Sequence, residues 1–350
     1  MRKGVIPFIF LWPIIVMVLM SVSLRSLKGT LLGWSDFGPV EEGIIGHRGL
    51  ALVYGDSSRL FWMASERYPQ EYMRYAKYYE ERGEWSEFAA PGIPAVHDDL
   101  ILSGIRRFQT TRRADFELWL QRSGKYIPLM RQILQEHGLP GELVCLAMVE
   151  SGFDPEAVSG AQAIGFWQFM PKTARRYGLR VDDWIDERMD PEKSTVAAAG
   201  FLADLYDRYG SWDLAIAAYN AGDLLIQEVT SQSGSREFWE LARTGSFSLE
   251  TRYLVIKFYS AVTILRDLDG HGFIDVVLDA PLVFEHVDCP PGTRLAEVAG
   301  LMGISEYELS DLNPQLIRRE TPPSLEAYPL CVPVGTGDRV RGYFTVRPIS

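Results

Sequence analysis

Hydrophobic positions recur along this chain in three rhythms, and each predicts a different kind of structure. After Arg2 and Lys3, residues 4–24 (GVIPFIFLWPIIVMVLMSVSL) hold no charge over 21 positions. That run is long enough to cross a bilayer as a helix and longer than the apolar core of most cleaved leaders. Residues 1–30 are therefore expected to form a signal anchor, Pro7 and Pro13 being tolerable in such a helix. Arg2 and Lys3 before the run are balanced by Arg25 and Lys28 after it, so charge leaves the orientation open. No cysteine follows that would serve as a lipoprotein site, and Ser21–Val22–Ser23 is only a weak cleavage pattern. Residues 31–94 form a juxtamembrane segment of unassigned structure, its clearest element a helix over PQEYMRYAKYYEERGEW, opened by Pro69.

Past the boundary PGIPAV (91–96) the rhythm turns helical and stays so to about residue 270. Gly152, Gly210 and Gly222 each follow an apolar-periodic stretch and mark helix ends. Pro140, Pro171 and Pro191 stand where a first helical residue belongs, and Asp190 is an N-cap candidate. No Val/Ile/Thr alternation interrupts the region, which predicts an all-α domain over 95–270.

A third pattern follows over 271–335. Leu295, Val298, Ala299 and Met302 recur at helical spacing up to Gly303, and Ser305 with Glu308 has the form of a capping box for a second short helix. The runs VFEHV and LCVPV flank both helices, so a small βααβ unit is expected, with 336–350 as a C-terminal tail. The fold class is then mainly α: an all-α domain, a βααβ module and an N-terminal membrane helix.

Composition narrows the partners. With 350 residues and 47% hydrophobic content the chain has room for two or three domains. A net charge of −11 argues against nucleic acid, whose binding needs a basic face. The local exception RRFQTTRR (106–113) suits a solvated helix face better than an anionic ligand. The five histidines (47, 97, 137, 271, 286) lack the close pairings of a zinc site, and Cys145 fits a core position, so no metal or cofactor is expected.

One carboxylate does not fit its surroundings. Glu150 shares a helix face with Leu143, Leu146 and Ala147, two positions before Gly152. Burial among aliphatic groups and the negative end of the helix dipole both raise a carboxyl pKa, and a shift of ~2 units, ~3 kcal/mol, would keep it protonated near neutrality. That is the state of a general acid. Helix position alone equally allows Glu150 to point to water past the glycine. The segment after it shifts the balance: Gly160 and Gly165 permit close approach, Phe166, Trp167 and Phe169 are either core or platforms for sugar rings, and Gln168 supplies an amide.

The motifs VESGFDP, GFWQFMP and AYNAG (218–222), in that order and spacing, resemble the soluble-lytic-transglycosylase superfamily with its goose-type-lysozyme-like helical fold. FQTTRRADFELWLQRSGKYIPLMRQILQEHGLPGELV is similar to the membrane-bound murein branch of that superfamily. The resemblance, over roughly 95–270, implies that Glu150 is the catalytic acid and base and Ser151 the hydroxyl beside it. It implies that Gly165, Phe166 and Gln168 belong to the cleft motif, and that Tyr219 and Asn220 line the reactive centre. The family's Glu-Thr segment carries a tyrosine four residues after the Glu. Here Glu250 and Thr251 are followed by Tyr253, one place early, with Leu254 in the slot.

The implied reaction cleaves the β-1,4 bond between N-acetylmuramic acid and N-acetylglucosamine in peptidoglycan and closes a 1,6-anhydro ring, one Glu serving as acid and then base. A two-carboxylate glycosidase needs a second acid across the bond. Asp154, Glu156, Asp182, Asp183 and Asp186 fall on no recognised motif. A lysozyme-type hydrolase and a non-catalytic peptidoglycan-binding protein are the alternatives. The C-terminal unit resembles a divergent LysM module in PPGTRLAEVAGLMGIS, LNP (312–314) and CVPVG, although RRETPPSLEAYP is longer than usual. Such modules bind N-acetylglucosamine-containing glycans, and the pairing of their flanking strands would allow Cys289 and Cys331 to bridge in an oxidising compartment, adding ~4 kcal/mol in the chain-entropy model. The expected setting is a bacterial envelope, with the anchor in the inner membrane and the helical domain in the periplasm.

Overall fold

The structure, a computed structural model, describes residues 92–96 and 98–346, all within the second of the chain's two compact units, Val53–Ser350. The expected anchor, and the helix opened by Pro69, lie outside the described residues. Nine helices span the first part: α1 (Asp99–Gln109), α2 (Arg113–Glu136), α3 (Val144–Ser151), α4 (Pro171–Arg176), α5 (Pro191–Tyr209), α6 (Trp212–Ala221), α7 (Asp223–Ser233), α8 (Phe238–Thr244) and α9 (Leu249–Arg266). A smaller unit follows as β1 (Glu285–Cys289), α10 (Leu295–Met302), α11 (Glu306–Leu312), β2 (Tyr328–Val332) and α12 (Gly337–Val346).

The helix boundaries follow from local chemistry. Asp190 accepts hydrogen bonds from the amides of Glu192 and Lys193 at 2.9 Å, and Pro191 opens α5 where a missing N–H costs nothing. Ser211 caps α6 and Ser248 caps α9 in the same manner. Pro140 behaves differently from Pro171 and Pro191: it precedes a single 3-10 turn, Gly141–Leu143, that leads into α3. That helix is buried all round from Val144 to Val149 and runs through the centre of the core, against α2 and α9. A helix apolar on every side belongs inside a protein. Gly152 closes it at φ +63°, and a Cβ there would lie 2.3 Å from the Trp119 indole, so both backbone and space demand glycine.

The all-α expectation misses one detail. Between α3 and α4 the chain makes short antiparallel bridges, Val158 with Ile164 and Ile164 with Phe169, folding 157–169 into a tight loop over the end of α3. Single-residue bridges leave no alternating pattern to read.

In the smaller unit, β1 pairs antiparallel with β2, and the capping box of Ser305 and Glu308 forms as expected. The expected tail is helical instead: α12 buries Val340 in the module's core, and Arg341 pairs with Glu285 of β1. The expected Cys289–Cys331 bridge is absent, and both thiols are free and buried. Register gives the reason. Cys331 lies opposite His286, whereas Cys289 lies opposite Tyr328, so the two cysteines stand three positions out of step. An odd offset puts them on opposite faces of the two-stranded sheet.

Candidate functional site

Glu150 sits in the last turn of α3, half-buried, next to Ser151, whose hydroxyl bonds the 157–169 loop. Among the described residues none makes a hydrogen bond or ion pair with its carboxyl group. Loss of hydration is what moves it: burial raises its pKa to about 7, Glu250 adds to the rise, and Lys257 opposes it. Near neutrality the group is therefore divided between acid and carboxylate.

The residues around it come from three elements, and most hold one another. Ser151 Oγ lies 2.8 Å from the carbonyl of Phe166 and 3.1 Å from that of Ala147, pinning the loop to the helix end. Tyr219, on α6, donates its hydroxyl to the carbonyl of Trp167 at 2.6 Å. Burial and the nearby Glu150 carboxyl both push the Tyr219 phenol well above its ordinary pKa, so it stays a donor. Gln168 adopts φ +51°, and its Nε2 donates to the carbonyls of Ala157 and Gly165 at 3.0 and 2.9 Å. Both partners are acceptors, which fixes the amide orientation and leaves Oε1 as the atom Gln168 can offer a ligand.

Asn220 is ordered through Thr251 of the Glu-Thr segment, a role the sequence did not reveal. Buried Thr251, on α9, donates its hydroxyl to Asn220 Oδ1 at 3.0 Å, and Ser248 Oγ lies 2.8 Å from the Thr251 hydroxyl. The Asn220 carbonyl is thereby occupied and its NH2 donors remain available. Tyr253 is 51% exposed on α9, on the face it shares with Glu250 and Lys257, three residues before and four residues after. Both of those charged groups act on Glu150, which places this helix face beside the cleft. Lys257 Nζ donates to the carbonyl of Val149 at 3.2 Å, and burial lowers its own pKa. Only its i+7 spacing from Glu250 hinted at it in the sequence.

Phe166 must be reassigned. It is 0% exposed, packed edge-on against Tyr126 with ring centroids 4.7 Å apart, and cannot offer a face to a sugar ring. Trp167 and Phe169 are likewise core, the indole N–H of Trp167 bonding Thr195 Oγ1 at 3.0 Å. The aromatics hold the loop from below. Gly165 also serves the scaffold: at φ +82°, a Cβ there would lie 2.0 Å from the carbonyl oxygen of Arg188, so the close approach is to the chain itself. Nearby acids are engaged structurally: Asp154 pairs with Arg122, Asp182 caps the turn at Trp184 and Ile185, and Asp186 pairs with Arg188.

Residues 130–242 match the family described as "Transglycosylase SLT domain", and residues 283–343 match "Lytic transglycosylase MltD, LysM-like domain". Membrane-bound lytic murein transglycosylase D of Escherichia coli (strain K12) is 34% identical over 185 residues, 51% of this chain and 40% of that protein. Membrane-bound lytic murein transglycosylase C of Glaesserella parasuis is 36% identical over 115 residues, 29% of this chain and 32% of its own length. Among solved structures, the 70 kDa soluble lytic transglycosylase of Escherichia coli aligns over 41% of this chain and 24% of its own, with 23% identity and a TM-score of 0.37. The chain thus spans well under half the length of these curated relatives. The two family matches lie in order along the chain, a transglycosylase SLT domain followed by a LysM-like domain of the lytic transglycosylase MltD type.

Proposed function

We propose that this protein cleaves peptidoglycan glycan strands as a lytic transglycosylase, with Glu150 as its one acid and base. The observation that carries the reading is the Glu150 carboxyl: half-buried, unbonded to any described residue, and held by burial at a pKa of about 7 beside Tyr219. A group so placed is still protonated in a large fraction of molecules at neutral pH and has that proton free to give.

The protonated carboxyl donates to the glycosidic oxygen between N-acetylmuramic acid and N-acetylglucosamine, and the C1–O bond breaks as the proton arrives. Positive charge grows at C1. Gln168 Oε1 and the Asn220 amide face the strand around that centre. The Glu150 carboxylate, now charged, is stabilised by the Lys257 ammonium, the cation whose field acts on it most. It then takes the proton from the 6-hydroxyl of the same sugar, whose oxygen bonds to C1. The 1,6-anhydro ring closes, Glu150 is a neutral acid again, and no water is consumed. The LysM-like module supplies a second contact with N-acetylglucosamine-containing strands. By likeness to membrane-bound murein transglycosylases, the site of action is the bacterial envelope, with residues 1–30 anchoring the chain in the inner membrane and the catalytic domain in the periplasm.

Digestion of purified sacculi followed by mass spectrometry tests the reading: 1,6-anhydromuropeptides are expected, and Glu150→Gln should abolish them while sparing sacculus binding. Glu250 favours a second reading, because it is a second carboxylate whose charge acts on Glu150, and a hydrolase would need such a partner. Reducing-end products alone, lost in Glu250→Gln, would establish that hydrolase instead.

A further inference from the structure

The loop between α4 and α5 belongs to two parts of the molecule at once. Ile185, within it, is fully buried in the core of the C-terminal module, not in that of the helical domain. It bridges to Leu316, the Asp186 amide donates to the Gln315 carbonyl at 3.0 Å, and the Ile317 amide donates to the Trp184 carbonyl at 3.1 Å. The Arg318 guanidinium lies 4.6 Å from the Trp184 ring centroid and donates to the Asp183 carbonyl at 3.0 Å. Arg180 reaches Ser324 Oγ at 3.2 Å. The module's partners in these contacts come from the stretch between α11 and β2, the part that is longer than usual for such a module.

Three residues further on, the same loop supports the cleft. Arg188 and Asp186 form a buried two-pronged pair, Nε to Oδ1 at 2.8 Å and Nη2 to Oδ2 at 2.6 Å. The remaining prong, Nη1, donates to the carbonyls of Phe169 at 3.0 Å and Gln162 at 3.2 Å. The Arg188 carbonyl packs under Gly165 so closely that a Cβ would lie 2.0 Å away. Gly165 and Phe169 flank Gln168, whose amide is bonded to Gly165, and Trp167 receives the Tyr219 hydroxyl. One guanidinium thus ties the middle and the C-terminal end of the 157–169 loop to a segment wedged into the module.

We propose that Arg188 is a positioning residue for the cleft and that the C-terminal module acts on catalysis through it, as a brace that holds the 157–169 loop over Glu150. This rests on the catalytic reading of Glu150. Lysine cannot replace the residue, since a point charge lacks the fork that grips Asp186 and two carbonyls together. If the brace is loosened, water enters above Glu150. The ionisation limb of the pH–rate profile then moves, because loss of hydration is what keeps the carboxyl protonated. The groups facing Glu150 from α6 and α9 (Tyr219, Glu250 and Lys257) do not change in the variants used.

The test compares the full chain with Arg188→Gln, Arg188→Lys and Ile185→Ala, following 1,6-anhydromuropeptide release against pH and hydrogen exchange at the amides of 157–169. Arg188→Gln should lower kcat at least roughly tenfold with less effect on KM, and shift the high-pH limb downward by about half a unit or more. Arg188→Lys should recover only part of this. Ile185→Ala, whose side chain sits in the module, should shift the limb the same way and speed exchange in the loop about tenfold or more. An unmoved limb and unchanged loop exchange in Ile185→Ala overturn the proposal, as does full rescue by lysine. If Arg188→Gln does not fold, Ile185→Ala and Ile185→Val carry the test alone. A wild-type chain that releases no anhydro product overturns the catalytic reading, and the exchange measurement still decides the brace.

Discussion

Glu150 is held at a cost to the fold, and its titration makes that cost measurable. Its native pKa of about 7 lies above its ordinary value of 4.5, so between those pH values the folded chain keeps a proton that the unfolded chain has lost. Stability therefore falls as pH rises through this window, by about 3 kcal/mol in all, and is unaffected below it. Glu150→Gln removes the charged state. It should raise Tm markedly at pH 8 and hardly at pH 4, which calorimetry at the two pH values would show. In wild type, kcat/KM should decline as pH passes about 7, where the acid form is lost. Thr251 acts at the same scale through Asn220. Thr251→Val leaves the Asn220 carbonyl without its donor and frees the side chain to rotate. The loss of such a buried hydrogen bond, about 1–1.5 kcal/mol, should lower Tm by a few degrees and reduce kcat/KM roughly tenfold.

Among the elements, the 157–169 loop is the least regular and the most constrained. Its backbone is held by Ser151, Tyr219 and Arg188, its aromatics are buried below it, and Gln162 and Gln168 both take positive φ within it. Gly165 is where the constraint is steric. Gly165→Ala adds a left-handed alanine and drives its methyl into the Arg188 carbonyl. A cost of about 3 kcal/mol or more is expected, read as a lower midpoint in urea unfolding and loss of product release. Helix α3 is legible from its apolar run and closing glycine. The loop is not, because its anchors are single hydrogen bonds from Ser151 of α3, from Arg188 before α5 and from Tyr219 of α6, 15, 19 and 52 positions away.

Across the whole molecule, the helical region and the C-terminal unit share the wedge at Ile185, the Lys125–Asp311 ion pair at 2.6 Å and the Lys193 ammonium over the Tyr328 ring. The buried thiols separate expectation from structure at this scale. Unfolding the chain without reductant should expose three titratable thiols, and a count of one would signal a bridge that the β1–β2 register does not permit. The helical character of the region from 95 to 270, the caps at Asp190 and Ser305, and the identity of Glu150 as the misplaced carboxylate were legible beforehand. Phe166 was misassigned, because a fully buried ring and a sugar platform look alike in a one-letter code. Thr251 was marked only as part of a motif, and Lys257 and Arg188 went unassigned, because their partners lie 31, 108 and 19 to 26 positions away.

What the amino-acid order determined by itself was local: where helices start and stop, which residues want water, and which acid stands among apolar neighbours. Those properties depend on neighbours within a turn or two of the chain. Only the tertiary structure decided that the acid is half-buried without a bonding partner among the described residues, that the aromatics face inward, and that the cysteines look away from each other. Desolvation, strand register and long-range hydrogen bonds belong to pairs of segments brought together by folding, and no single segment carries them.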